Sequence, residues 1–282
     1  MTDRLLDIDH LMINVPNAQS AGEAFEAMGF TVTPLSGMPG LENRLVCFSD
    51  TDAAGGVCNY IELMGLTDPS IAPPPMPTLL SRPFGPISTV LCADDVKAAR
   101  ERLVEGGMAL GPALDLQRDW HLPSGETITP AFAVAIPDLD QSPFYWNYCQ
   151  HKTPQHYVRD DFTGHSNGIT RLTAVLAVHD APLEAAAHYE SVWPANKTGV
   201  DPVILTLGTV DLEIFSPGMF AEQFGVTPPR PGLVGMRLET DKLSETRDVM
   251  TKAGVETHAL KNGFLVAPTD AANAVLVVEA KA

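Results

Sequence analysis

The stretch IDHLMINVPNAQSAGEAFEAMGFTVTPL, residues 8–35, changes its period once. Leu11, Ile13 and Val15 alternate with His10, Met12 and Asn14, which is the two-residue period of a strand with an imidazole and an amide on one face. A helix of about eleven residues follows, and Gly29 stops it where the next strand should begin. A strand face that carries His and Asn lines a cavity if the rest of the chain builds one around it.

Working outward, the same strand, helix and breaker recur three more times. PISTVLCADDVKAARERLVEGGMAL (86–110) stops at Gly106-Gly107, RLTAVLAVHDAPLEAAAHYESVW (171–193) is the third copy, and LVGMRLETDKLSETRDVMTKAGVETHAL (233–260) stops at Gly254. Further strands complete each copy: NRLVCFSD and NYIELMGL, FAVAIPD and PFYWNYCQ, VILTLG and TVDLEIFSP, GFLVAP and NAVLVVEA. Each unit is therefore βαβββ, and a four-stranded sheet with one helix on one face has a second face to cover. Two units side by side curl their sheets into a common trough. The expected fold class is α+β: four βαβββ units make two domains, residues 1–151 and 169–282, joined by a polar linker at 152–168. A stiff, extended strap with seven prolines, residues 66–86, connects units one and two.

Composition narrows the function classes. There are 18 Lys+Arg against 35 Asp+Glu, a formal net charge of −17, which argues against nucleic acid or an anionic membrane surface as partner. No apolar run approaches the roughly 20 residues of a membrane span, and MTDRLLDIDH lacks a signal-peptide stretch, so a cytoplasmic location is expected. Cys47, Cys58, Cys92 and Cys149 show no C-x-x-C spacing and read as buried free thiols.

The segments DHLMINVPNAQSAGEAFEAMGFTVTP, NRLVCFSD, YIELMG, PFYWNY and HSNGI resemble the vicinal oxygen chelate superfamily, in its glyoxalase-like branch. The first domain matches best; the second matches mainly in its order of elements. The resemblance implies a trough that binds a divalent metal, with Fe, Mn, Zn, Ni and Mg not distinguished, and no nucleotide cofactor. It places ligands on the first and last strand of each unit, which here are His10 and Glu62. Side-chain alternation agrees, because Ile61 and Leu63 face the helix and leave Tyr60, Glu62 and Met64 on the side of His10. A buried Glu needs a partner, whether a metal or a His–Glu hydrogen bond.

In unit two, Ser88 stands where His10 does and Asn147 where Glu62 does, and both are weak ligands for transition metals. The two-His, two-Glu set that a glyoxalase I site would have is absent. A third strong ligand is sought in His121, within QRDWHLPSGE, or in His151. Other expected substrate-binding residues are Asn43 and Arg44, the latter as a carboxylate or carbonyl clamp or as a surface ion pair, with Tyr60, Ser88, Arg118, Trp120, Tyr145 and Asn147. Trp146 and Tyr148 alternate away toward a helix. The second domain offers Thr173, Glu213, Gly235 and Val277 at the four ligand positions and reads as a structural or partner-binding copy.

Two functions follow. One is an enzyme that uses His10 and Glu62 on a small oxygenated molecule by lyase, isomerase or ring-cleavage chemistry, metal-assisted. The other is a metal-free protein that sequesters a small molecule, of the bleomycin-resistance type. The expected partner is a small-molecule substrate, with a homodimer left open.

Overall fold

The computed structural model describes residues 5–49, 59–228 and 230–281. Its N-terminal half runs β1 (Leu5–Val15), α1 (Ala18–Ala27), β2 (Ser36–Met38), β3 (Leu41–Cys47), β4 (Tyr60–Leu66), α2 (Met76–Leu80), β5 (Gly85–Ala93), α3 (Val96–Glu105), β6 (Leu114–Gln117), β7 (Trp120–His121), β8 (Thr127–Ile128), β9 (Ala131–Ala135) and β10 (Trp146–His151). After α4 (Asp160–Thr163), the C-terminal half runs β11 (Ile169–Val178), α5 (Pro182–Glu190), β12 (Asn196–Gly199), β13 (Val203–Thr206), β14 (Asp211–Phe215), α6 (Pro217–Phe224), β15 (Gly232–Thr240), α7 (Leu243–Lys252), β16 (Thr257–Leu260), β17 (Gly263–Val266) and β18 (Val275–Ala280).

Each half is one curled eight-stranded sheet, ordered β2-β3-β4-β1-β5-β10-β9-β6 and β12-β13-β14-β11-β15-β18-β17-β16. The second order repeats the first strand for strand. In both, the opening strands of the two units pair antiparallel at the centre, and each pairs parallel with the last strand of its own unit. The fold is α+β, built of four βαβββ units.

Glycine ends three of the four long helices. Gly29, Gly107 and Gly254 have φ of 86°, 91° and 82°, and the residue after each bonds back five residues, from Phe30 N to Phe25 O, Met108 N to Leu103 O and Val255 N to Met250 O. A side chain at φ > 0 is strained, so glycine closes the last turn and turns the chain toward the sheet.

The convex faces of both sheets bury their apolar rows, with the four helices, in one continuous cluster: Leu11 and Ile13 of β1, Phe25 of α1, Val175 and Ala177 of β11, Tyr189 of α5. Trp146 and Tyr148 lie in this layer, as alternation requires. A polar clamp also joins the halves, where Asp7 accepts from Thr209 Oγ1 (2.6 Å) and Val210 N (3.0 Å). Gly208 permits that approach, because a Cβ there would sit 2.5 Å from the Leu6 carbonyl oxygen.

The two connections do more than connect. The proline-rich strap carries α2, whose Met76, Leu79 and Leu80 pack on Met12, Leu41 and Met64 over the concave face of the first sheet. The polar stretch 152–168 sends Tyr157 and Phe162 into a buried cluster with Leu45, Trp120 and Ile128. Its His165 accepts a hydrogen bond from Thr31 N at 2.9 Å, and burial pushes that imidazole down to about 4, so it stays neutral. Cys47, Cys92 and Cys149 are buried free thiols, and Cys58 lies outside the described residues. No helix among the described residues is long and apolar enough to cross a membrane.

Candidate active site

The concave face of the N-terminal sheet encloses a cavity of about 100 Å³. Its walls are apolar, with four methionines (Met12, Met38, Met64 and Met76) among them, and its polar end is formed by His10, Glu62 and Arg118. β1 delivers His10 from the centre of the sheet and β4 delivers Glu62 from the neighbouring strand, with Met12 opposite Glu62 in the parallel register. His10 Nε2 lies 3.3 Å from Glu62 Oε2, and the imidazole stacks on the Tyr60 ring at 4.1 Å between centroids.

The carboxylate is held from three sides. Asn43 Nδ2 donates to Glu62 Oε1 at 2.5 Å and Arg118 Nη1 donates to the same oxygen at 3.3 Å, while His10 faces the other oxygen. Asn43 is itself fixed by Ser36 Oγ (2.7 Å), to which Trp120 Nε1 donates at 3.1 Å. Burial pushes the Glu62 carboxyl up, but the His10 bond, the charges of His10 and Arg118 and the Asn43 bond outweigh it and hold the group at about 2.

Behind His10 stands a second carboxylate. β1 carries an irregularity between Ile8 and His10, which leaves Asp9 outside the regular pairing with β5. Asp9 Oδ1 lies 2.5 Å from His10 Nδ1, and Asp9 Oδ2 lies 2.8 Å from His151 Nε2. Burial opposes the charge on Asp9, yet His151 and His10 hold it well below the usual carboxylate range. Burial disfavours a charged His10, but the Asp9 bond and Glu62 raise its pKa, so the ring keeps its proton more firmly than a free histidine.

The helix caps show how the four units correspond. Counting back seven residues from the N-cap positions Asn17, Asp95, Ala181 and Lys242 reaches His10, Ser88, Ala174 and Gly235. Two residues further along each strand, Met12, Val90, Leu176 and Arg237 pair with Glu62, Asn147, Glu213 and Val277. Ser88 Oγ donates to Asn147 Oδ1 at 3.1 Å, so unit two repeats the His10–Glu62 contact with uncharged groups. In unit three the equivalent of His10 is Ala174, not Thr173. The register shift between Leu172 and Ala174 gives Thr173 the place of Asp9, and an alternation count runs one residue out across it.

Not every expected site residue comes to the cavity. His10, Tyr60, Glu62, Arg118, Tyr145 and Asn147 line it, while Asn43, Ser88 and Trp120 stand one layer behind. Arg44 does not reach it. Its strand neighbours Asn43 and Leu45 take the concave side, and the guanidinium lies on the helix side, bonded to Glu26 and to the Thr33 carbonyl. His121 is exposed on the β7–β8 hairpin, where its Nδ1 meets Thr127 Oγ1 at 3.0 Å, and it contacts neither His10 nor Glu62. It is not a third ligand in this geometry.

Asp9, Ser36 and Tyr157 belong to the site and escaped the sequence reading; His151 appeared there only as an alternative ligand. The usable signal was Asp9 itself, since a carboxylate inside a strand buried on both faces needs a partner.

The donor set does not fit a resident divalent metal. Two strong donors converge, His10 Nε2 and Glu62 Oε2, but the Arg118 guanidinium already meets the same carboxylate, and a second buried cation would face it uncompensated. The remaining polar lining is the Asn147 amide, the phenols of Tyr60, Tyr145 and Tyr157 and the Cys149 thiol, and no cluster of three or more His, Cys, Asp or Glu suited to a metal occurs among the described residues.

Comparison with known proteins agrees with the topology. A structure described as a hypothetical protein from Staphylococcus aureus matches with a TM-score of 0.68 at 9% identity, over 99% of this chain and 100% of that one. The Mn(II)-bound glyoxalase from Novosphingobium aromaticivorans matches at 0.57 and 10% identity, over 99% and 83%. A variant of 4-hydroxymandelate synthase from Streptomyces coelicolor matches at 0.51 and 14% identity, over 98% and 92%. At such identities the likeness is one of fold. No curated protein matches by sequence. The sequence model of the glyoxalase-like domain matches residues 8–193, both N-terminal units and the opening of the third. With more than half of its length matched, the chain belongs to the glyoxalase-like domain family.

Proposed function

We propose that the N-terminal cavity is the active site of a glyoxalase-like enzyme that binds a small oxygenated organic molecule and moves a proton on it, chemistry of the isomerase or lyase kind. The observation that supports it is the Glu62 carboxylate held between His10 and Arg118 at the polar end of an otherwise apolar cavity. At about 2 the carboxylate is a weak base while its donors hold it. A ligand carbonyl that accepts from Arg118 draws the guanidinium, and with it part of the stabilising charge, away from Glu62. Burial, the largest influence on that carboxyl, then raises its pKa toward the range a general base needs. The guanidinium meanwhile stabilises the enolate oxygen that proton removal creates. His10, oriented by Asp9 and already protonated, gives its own proton to the enolate, and the proton taken up by Glu62 crosses the 3.3 Å contact to His10, restoring both groups. Arg118 supplies the positive charge that a metal supplies in metal-dependent chemistry.

The second reading, binding without turnover, has one observation in its favour. Both Glu62 oxygens are already engaged by protein donors and need no ligand. One experiment separates the two. Small ketones are incubated with the protein in D2O, and loss of the C–H signal beside the carbonyl is followed by NMR. The enzyme reading expects exchange with the wild type and none with Glu62→Gln. Saturable binding with no exchange would identify a sequestering protein.

A further inference from the structure

Two polar atoms in the cavity wall have no partner, and they come from different surroundings. Arg118 Nε is buried and unbonded, although Nη1 of the same guanidinium serves Glu62. The phenol of Tyr145 is likewise buried with no hydrogen bond. Both side chains are 5% exposed and both line the cavity. Arg118 belongs to the polar end, its guanidinium 5.3 Å from the Phe132 ring and 5.8 Å from Trp120. Tyr145 packs in the cluster under α2, with Met76, Leu79 and Ile87. Buried polar groups in folded proteins are nearly always satisfied, and leaving one unbonded is costly, so two orphans on one cavity point to a ligand that bonds both.

Charge limits what that ligand is. The carboxylates Asp9 and Glu62 already meet His10, His151 and Arg118 in close pairs. An anion at Arg118 would be buried directly against the Glu62 carboxylate, a like charge that disfavours it. Size limits it too: a cavity of about 150 Å³ admits benzene, and this one is about 100 Å³ behind flexible methionine walls that can give way.

We propose that the ligand is an uncharged molecule with an apolar body of about six carbons and an oxygen at each end, one accepting from Arg118 Nε and the other bonded to the Tyr145 hydroxyl. This rests on the placement of the active site in the N-terminal cavity and adds the substrate class: hydroxyketones, diketones and their reduced forms rather than carboxylic acids.

The test is isothermal titration of the full chain with 2-hexanone, 6-hydroxy-2-hexanone and hexanoate, using wild type, Tyr145→Phe and Arg118→Met. In the wild type, 6-hydroxy-2-hexanone binds about tenfold tighter than 2-hexanone, the worth of one buried hydrogen bond, and hexanoate binds weakest. Tyr145→Phe removes an unbonded hydroxyl without changing shape. It therefore keeps the fold and the affinity for 2-hexanone but loses the tenfold preference. Arg118→Met weakens both ketones. Tightest binding of hexanoate, a preference that survives Tyr145→Phe, or no binding of the two-oxygen probe at millimolar concentration overturns the proposal. Selective binding without deuterium exchange leaves this inference standing and removes the catalytic reading. Exchange without selectivity does the reverse.

Discussion

The two troughs of the molecule share one topology and have opposite contents. In the N-terminal trough, Glu62 sits among His10, Asn43 and Arg118 beside an open cavity. In the C-terminal trough its counterpart Glu213 is taken by Arg237, whose Nε lies 3.0 Å from both carboxylate oxygens and whose Nη1 reaches Glu279 at 2.9 Å. Where His10 would stand there is Ala174, and α6 lays Phe220 and Phe224 on the concave face against Leu176, Leu265, Val275 and Val277. The Arg237 guanidinium covers Phe224 at 5.2 Å. The same connection between units thus fills one trough with two phenylalanines, while α2 leaves the other with room behind flexible methionines. A duplicated scaffold keeps a carboxylate at one strand position in both halves, and the neighbours decide whether it is available to a ligand.

The two carboxylates should differ most. Glu62→Gln should lower turnover about 10²- to 10⁴-fold, the range for loss of a proton-transfer group, whereas Glu213→Gln should leave turnover near wild type. Loss of activity in Glu213→Gln with folding intact would reverse the comparison.

The next effect reads the packing. Phe220→Ala should cost about 3–5 kcal/mol in urea unfolding, because it empties a filled trough, with ligand affinity unchanged. Met76→Ala, beside a space that already exists, should cost no more than about 2 kcal/mol, the low end of the range for such truncations, and should change ligand affinity.

Acid unfolding gives a smaller and more specific difference. The folded-state pKa of Glu62 is lowered from 4.5 to about 2, so its contribution to stability is full above pH 4.5 and is lost as the pH falls toward 2. Glu213 is raised, burial outweighing Arg237, so protonating it does not weaken the fold in the same way. Glu62→Gln should therefore flatten the acid limb of a stability–pH profile, while Glu213→Gln leaves that limb in place. Smallest of all, His121→Ala should change stability by less than about 0.5 kcal/mol and leave activity unaltered, since the residue is exposed and remote from Glu62.

What was legible in the chain follows from period and punctuation. Four strand–helix openings, three of them closed by Gly29, Gly107 and Gly254, announced four units, and alternation put His10 and Glu62 on one face. Alternation fails where a strand is irregular. It placed Thr173 where Ala174 stands, and it gave no reason to bring Asp9 to His10. It also left the face of β3 undecided, so Arg44 was a candidate until its neighbours Asn43 and Leu45 took the concave side. Long-range placement was beyond it as well. Nothing in the spacing of QRDWHLPSGE says that Arg118 reaches Glu62 across the trough while His121 turns to solvent. The stretch 152–168 has no period, and its Tyr157 and Phe162 are visible as core only once the N-terminal trough exists to receive them.

If the N-terminal trough holds the ligand and the C-terminal trough is filled by its own chain, only one of the two accepts a small molecule. A crystal structure of the protein with 6-hydroxy-2-hexanone decides between them. The ligand should lie between Tyr145 and Arg118, its carbonyl oxygen within hydrogen-bond reach of the guanidinium and His10 still facing Glu62. Ligand density on the concave face of β11 and β14 with Phe220 displaced, or a His10 turned into solvent, would contradict it.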